Sequence, residues 1–220
     1  MIDGPEGWKL APEGAAVHPV ERTAVIADVH LGYEWARASG GDCLPAHSLA
    51  ETLAKLSTLL GRVPISRLVV AGDLVESPAP CRRTASDLRS LYEWLDDRGV
   101  EMVPVLGNHD PQRSSKIPLT LEVAGWTIAH GHRPIKATRT ISGHHHPVLR
   151  AGGLTAPCFV VGPRSIVLPA FTPNAAGLPV GSPGMPERWS KDDVRCVAGL
   201  GGELLDFGPL PSLILKLQGR

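Results

Sequence analysis

Several short clusters of histidine, aspartate and asparagine could bind metal ions, and most follow an apolar run of the kind that forms a buried strand. The clusters are Asp28 and His30, Gly72-Asp73, Gly107-Asn108-His109-Asp110, His130, and Gly143-His144-His145-His146. Carboxylate, carboxamide and imidazole groups suit borderline divalent metals. Two such ions about 3.5–4 Å apart can clamp a phosphate group and activate water. The pattern therefore indicates hydrolysis of a phosphate ester.

Each cluster alone has a plainer explanation, such as a turn cap at Asp28 or a solvated tract at residues 144–146. However, seven of the nine histidines fall in or beside these clusters. The ordered set therefore favours a metal site over a series of unrelated turns. His18 and His47 lie outside every cluster and are interpreted as structural or surface residues. His132 either borders the site or belongs to it.

The first half of the chain alternates strand and helix patterns that would position these clusters. Short apolar runs predict strands, and leucines at helical spacing that end at glycine predict helices. The predicted strands are residues 23–29, 67–72 and 100–106, and the predicted helices are residues 45–60 and 81–98. This alternation predicts βαβ units and a largely parallel sheet. Polar residues that follow parallel strands meet at one edge of such a sheet, where ligands bind.

After residue 119 the pattern changes to short strands separated by glycine and proline. Strands are predicted near residues 121–129, 138–142, 158–161 and 165–168, with a hairpin over 194–198 and 203–207. Residues 172–191 are rich in proline and glycine and are predicted to form an irregular loop. The sequence thus predicts an α/β fold in which two packed sheets carry helices on the outside.

The size and charge of the chain limit its class. Its 220 residues fit one domain over 1–220, and 22 basic residues balance 22 acidic ones. Strong non-specific nucleic-acid binding through net charge is therefore not expected. Between residues 111 and 150 there is one acidic residue, Glu122, among six basic ones: Arg113, Lys116, Arg133, Lys136, Arg139 and Arg150. These form either a positive rim for an anionic substrate or a solvated loop.

The expected location is the cytoplasm. The four cysteines show no CxxC spacing, and the first ten residues lack the basic start and apolar run of a secretion signal. No apolar stretch approaches the roughly 20 residues that span a bilayer, so no membrane association is expected. The sequence predicts no particular oligomeric state.

The order Asp-x-His, Gly-Asp, Gly-Asn-His-Asp, His and Gly-His-x-His over residues 28–146 resembles the calcineurin-like metallophosphoesterase family. The resemblance implies a four-layer sandwich of two mixed β-sheets flanked by helices, with a two-metal site. One metal would take Asp28, His30 and His146; the other would take Asn108, His130 and His144. Asp73 would bridge them. His109 would meet the substrate phosphate, with Asp110 orienting it, and Asn108 and Arg133 are further predicted substrate contacts.

A narrower resemblance covers about residues 8–180. The segments 28–34, 157–164 and 167–171 are similar to the branch that contains ligase-associated DNA endonucleases and their archaeal relatives. That resemblance implies a DNA endonuclease acting in DNA repair on single-stranded DNA, with a DNA ligase and a helicase as partners. Glu76 departs from the branch, whose members often carry histidine there, and Tyr33 resembles the archaeal relatives.

The expected cofactors are two divalent metal ions, with manganese preferred and iron, zinc or nickel compatible with the same ligands. One alternative is a small-molecule or nucleotide phosphodiesterase or phosphatase. A second alternative, of another class, is a non-catalytic scaffold that keeps this fold. A one-metal zinc hydrolase is a third, but it needs three protein ligands and would leave at least four candidates without a role.

Overall fold

The computed structural model describes residues 1–111, 116–191 and 193–219, and its strands form two sheets. The first sheet has six strands in chain order: β1 Ile2–Asp3, β2 Lys9–Ala11, β3 Ala15–His18, β4 Thr23–Ile26, β5 Arg67–Ala71 and β6 Glu101–Val105. Strands β1 to β4 pair antiparallel, whereas β4, β5 and β6 pair parallel. The carboxyl ends of the three parallel strands therefore meet at one edge.

Three helices connect the parallel strands: α1 Tyr33–Ala38, α2 Ser48–Arg62 and α3 Arg82–Asp96. The apolar stripes of α2 and α3, including Leu56, Leu59, Leu91 and Leu95, are buried against the first sheet. Predicted helix 45–60 thus begins three residues later than expected, at Ser48, and α1 was not predicted.

The second sheet has nine strands: β7 Thr120–Val123, β8 Trp126–Ala129, β9 Thr140–Ser142, β10 Pro147–Ala151, β11 Leu154–Gly162, β12 Ser165–Val167, β13 Leu178–Pro179, β14 Arg195–Leu200 and β15 Glu203–Pro209. Helix α4, Leu210–Gln218, follows the last strand. The long strand β11 is central, because it pairs with β10, β12 and β14. Strands β8, β9 and β12 pair parallel, so this sheet is mixed as well.

Three buried clusters separate the layers, and the first is the one between the first sheet and helices α2 and α3. Between the two sheets lie Val25 and Val69 from the first, with Trp126 and Phe159 from the second. The outer face of the second sheet buries Trp189 together with residues of β11, β14 and α4. The order helices, sheet, sheet, helix confirms the predicted four-layer sandwich.

The structure corrects several predicted boundaries. Residues 121–129 form a hairpin of two strands, because Ala124 and Gly125 both adopt positive φ and reverse the chain. Strands β1 to β3, β10 and helix α4 were not predicted. The loop 172–191 is irregular as expected, except for β13 and a short 3-10 helix, Glu187–Ser190. Within the described ranges, no helix is both long and apolar enough to cross a bilayer.

Candidate metal centre

All the predicted ligands lie on loops that follow strands at the same edge of the two sheets. The loops after β4, β5 and β6 carry Asp28 with His30, Asp73, and Asn108 with His109, respectively. Those after β8 and β9 carry His130, and His144 with His146. Backbone hydrogen bonds join the loops: the N–H groups of Asp28 and His30 donate to Gly72 O and Asp73 O at 3.1 and 3.0 Å. The structure therefore brings the seven predicted ligands to one region.

Asp28, His30 and His146 form the first group, with ligand atoms within 4.8 Å of one another. Asp28 Oδ1 lies 3.1 Å from His146 Nε2, without the angles of a hydrogen bond. Asp28 Oδ1, His30 Nε2 and His146 Nε2 are all buried and have no hydrogen-bond partner among the described residues. Buried polar atoms without partners are costly. Their convergence fits a shared cation.

His130, Asp73 and Asn108 meet in a second group. His130 Nδ1 lies 3.1 Å from Ala71 O, and a donated N–H at that position leaves Nε2 as an acceptor. Nε2 then faces Asn108 Oδ1 at 2.8 Å and Asp73 Oδ2 at 3.2 Å, both also acceptors. Three acceptors in contact require either a proton or a metal cation between them. This donor set also fits a divalent ion.

The charges in the second group agree with that requirement. Burial raises the pKa of Asp73, but its hydrogen bond with His130, the charge of His130 and the His109 N–H outweigh burial and lower this pKa to about 2. Burial lowers the pKa of His130, but its hydrogen bond with Asp73 and the negative charges of Asp28 and Asp73 raise it overall. The protein thus attracts positive charge to His130 Nε2.

His144 lies next to the second group, to which the resemblance assigns it. Its ring centroid lies 4.9 Å from that of His130, while its backbone N–H donates to Asp28 Oδ2 at 2.9 Å. Asp28 in turn forms a close group with Asp73 and His130. Asp28 therefore lies close to residues of both groups. The bridging position was expected for Asp73 alone.

The ligand loops have unusual backbone conformations. Asp28, His30, Asp73, His144 and His146 all adopt positive φ between 46° and 70°. Such values are uncommon outside glycine, and each costs of order 1–3 kcal/mol. Strain of this kind concentrates at functional sites, where the surrounding structure holds it in place.

Motif glycines allow the loops to approach one another closely. A Cβ at Gly107 would lie 2.1 Å from Asp73 Oδ1, and a Cβ at Gly143 would lie 2.3 Å from Asp28 Oδ2. A Cβ at Gly72 would lie 2.5 Å from the ring of His130. The glycine of each motif therefore makes room for a ligand of another motif, a role that is not apparent from the sequence.

His109 lies beside the first group and is held by contacts on both sides. Its backbone N–H donates to Asp73 Oδ1 at 2.8 Å, and its Nδ1 lies 2.7 Å from Glu76 O. Its ring stands edge-to-face with that of His30, with centroids 5.0 Å apart. A donated Nδ1–H would leave Nε2 free for a substrate.

Glu76 is a site residue whose role the sequence left open. Its Oε2 lies 2.8 Å from His30 Nδ1, within ion-pair range, although the angle is not that of a hydrogen bond. A carboxylate behind the second nitrogen of a metal-binding histidine commonly fixes the orientation of the ring. Glu76 thus orients His30 through its side chain and His109 through its carbonyl.

Asp110 is buried beneath the loops. Its carboxylate accepts hydrogen bonds from the backbone N–H groups of Asp73, Val75 and Gly107 at 3.0, 3.2 and 2.8 Å. Burial is the main cause that raises its pKa. Asp110 therefore ties together the loops that follow β5 and β6. Direct orientation of His109 by Asp110 stays a prediction.

The predicted basic rim is assembled only in part. Arg133 and Lys136 are exposed and border a cavity next to His130. Arg139 instead pairs with Glu6 at 2.8 Å, and Arg150 donates to Ala176 O. Arg113 lies outside the described residues.

The remaining histidines of the site occupy its margin. The ring centroid of His132 lies 5.2 Å from that of His130, and it borders the same cavity. His145 packs edge-to-face on Trp189 at 5.4 Å, with Arg188 beside it. Burial lowers the pKa of His145 to about 4. Arg188 is a cation beside His145 that no sequence motif marks.

Comparisons with known proteins agree with this geometry. A model of the family described as calcineurin-like phosphoesterase matches residues 21–155, more than half of the chain. This range contains all seven predicted ligands. The crystal structure of Pseudomonas putida nuclease MPE is similar, with a TM-score of 0.71 and 22% sequence identity. The match covers 93% of this chain and 98% of that chain, and it shows a shared fold.

Proposed function

Because the chain belongs to the calcineurin-like phosphoesterase family, it is a metal-dependent phosphoesterase, and we propose that it hydrolyses phosphodiester bonds with two divalent ions. The observation that carries the proposal is that two close sets of ligand atoms share Asp28: Asp28 with His30 and His146, and Asp28 with Asp73 and His130. One group would hold an ion with Asp28, His30 and His146. The other would use Asn108, His130 and His144, with Asp73 reaching both.

Manganese is the proposed metal, because a site rich in oxygen and nitrogen ligands accepts it; iron, zinc and nickel are compatible. When bound, such ions supply positive charge to phosphoryl oxygens and lower the pKa of water. The chain's own residues would then position the ester. Asn108 and His109 would contact the phosphate. As an imidazolium whose Nδ1–H donates to Glu76 O, His109 would give the proton on Nε2 to the leaving oxygen.

Metal stoichiometry tests the two-ion proposal. Elemental analysis of the manganese-reconstituted protein should give about two equivalents per chain. Asp73→Asn should lose both tightly bound ions, because Asp73 contacts His130 directly and lies 4.0 Å from His30. One equivalent in fully active protein would contradict the two-ion arrangement.

We further propose single-stranded DNA as a substrate. The narrower sequence resemblance and the exposed positions of Arg133 and Lys136 beside the site support this proposal. Phosphate contacts release counterions, so cleavage of DNA should weaken steeply with salt. The double change Arg133→Ala with Lys136→Ala should lower the salt slope by about one unit for each true contact.

Arg139→Ala provides the matched control, because Arg139 is paired with Glu6. This variant should leave the salt slope unchanged. If the parent does not cleave single-stranded DNA, the DNA proposal fails and a small-molecule phosphodiesterase takes its place. Partnership with a DNA ligase and a helicase and a role in DNA repair stay predictions from the sequence resemblance. A cytoplasmic location stays a prediction from the cysteines and the first ten residues.

A further inference from the structure

Two openings border the candidate metal centre through different residues. The larger is a cavity of about 420 Å³ that reaches the site at His130 and His132, and we name it the hairpin cavity because it lies against β7 and β8. Its walls include Leu106, Leu119, Glu122, Ala129, Arg133 and Ile135. The second opening, a cleft of about 230 Å³, reaches the site at His30, His109 and His146.

A phosphodiester carries two organic groups, and each of the two openings has room for one of them. His109 borders the cleft and not the hairpin cavity, so a leaving oxygen that takes its proton from His109 belongs on the cleft side. The group that stays on phosphorus then extends past His130. We propose that the hairpin cavity binds a nucleoside, the group retained on the phosphate after hydrolysis. This inference rests on the proposed phosphodiesterase function.

The lining of the hairpin cavity fits a nucleoside in size and chemistry. Ligand cavities usually measure about 300–1,000 Å³ and combine apolar walls with a few polar groups. Here Leu106, Ala129 and Ile135 supply apolar surface for a flat ring. Glu122 borders the same space and can accept a hydrogen bond from an N–H group of a base.

Two basic residues of the hairpin cavity can bind the neighbouring phosphate of a longer nucleic-acid chain. Arg133 and Lys136 line the hairpin cavity and are exposed. Such cations bind phosphate oxygens and fix the register of a nucleic acid without reading its sequence. The lining of the hairpin cavity thus combines apolar side chains and one carboxylate with two exposed cations.

The test compares two esters with the same leaving group. Thymidine 5′-(phenyl phosphate) and methyl phenyl phosphate differ only in the group that stays on phosphorus, and their phenolate leaving group needs a proton. In each reaction the oxygen of water bonds to phosphorus, the bond to the phenolate oxygen breaks and His109 protonates that oxygen, so phenol leaves and thymidine monophosphate or methyl phosphate remains. We expect the manganese-loaded full chain to prefer the thymidine ester by on the order of 10–100-fold in kcat/KM.

Variants then locate the preference. Ile135→Ala and Leu119→Ala should each reduce the preference for the thymidine ester about threefold or more, because each removes apolar wall from the hairpin cavity. Leu154→Ala is the matched control: Leu154 is a 64% exposed leucine at the start of β11 and does not border the cavity. It should leave the preference unchanged.

The outcomes separate this inference from the proposed function. If the loaded protein hydrolyses neither ester, the phosphodiesterase function itself fails. If it hydrolyses both with equal kcat/KM, or if the preference is the same in Ile135→Ala, Leu119→Ala and the parent, the function stands and the nucleoside assignment is overturned.

Discussion

Replacing Gly143 with alanine tests whether close packing of the ligand loops sets the geometry of the metal centre. A Cβ at this position would lie 2.3 Å from Asp28 Oδ2 and 2.4 Å from Ala27 Cβ. Ordinary contact begins near 3.4 Å, so the Asp28 carboxylate must move by about 1 Å. Gly143 does not have positive φ, so alanine adds a clash without added backbone strain.

A displacement of about 1 Å at a reacting site can cost on the order of 10²-fold in rate. We therefore expect Gly143→Ala to lose about 10²-fold in kcat/KM for a phosphodiester and about 10–100-fold in manganese affinity. Stability should fall by only about 1–3 kcal/mol, as in other overpacked sites. Calorimetric manganese titration, steady-state hydrolysis and urea unfolding measure the three quantities.

Two further variants separate the possible causes. Gly61→Ala, in helix α2 with no atom within 4 Å of the new Cβ, is the matched control and should keep metal affinity and activity. Ala27→Gly combined with Gly143→Ala removes one of the two clashes. If the double variant recovers full manganese affinity, the clash with Ala27 and not with Asp28 is responsible. If Gly143→Ala behaves like Gly61→Ala, the packing argument is refuted.

Three further predictions concern His109, the pair His145 and His146, and Lys55. His109→Ala should retain both metal ions by elemental analysis yet lose about 10²–10⁴-fold in turnover, and less for esters with very acidic leaving groups; loss of metal would contradict its role as proton donor. His145→Ala should keep metal and most activity because its ring packs on Trp189, whereas His146→Ala should lose both, and equal damage would mean that the ligands are misassigned. Burial lowers the pKa of Lys55 to about 8, below its unfolded value near 10.5. Between these two pH values the unfolded chain binds more protons than the folded chain. The free energy of unfolding therefore rises with pH in this range. In urea unfolding, Lys55→Met should abolish about 1–2 kcal/mol of this rise between about pH 7.5 and pH 10, and an unchanged pH profile would refute the burial argument.

The parallel strands and their polar ends were predictable because local sequence encodes them. Strand β4, for example, is a short apolar run that ends just before Asp28, and the structure keeps that order at β5 and β6. The strands before β4 were missed because they are two to four residues long and interrupted by proline and glycine. Such segments become strands only through pairing with a neighbour, which a single segment does not reveal.

Contacts between loops were beyond the reach of sequence patterns. Glu76 meets His30 because two separate loops run side by side, with Glu76 N–H donating to Leu31 O. The glycines of the motifs were visible as turn residues, but the ligand that each accommodates comes from a different loop. Likewise, Arg139 pairs with Glu6, a residue far away in sequence. The composition of residues 111–150 therefore predicted more rim cations than the structure provides.

The left-handed backbone at five predicted ligands restricts how the metal preference of this protein can change. Apart from glycine, asparagine, aspartate and histidine adopt this conformation most readily. Softer metals favour cysteine ligands. At these five positions cysteine would cost more conformational free energy, because its φ would be positive, and its side chain is also shorter than that of histidine. Exchange of ligand type is therefore easiest at Asn108 and His130, whose φ values are not positive. Any redesign towards a softer ion would have to begin at these two positions, with the other loops left as they are.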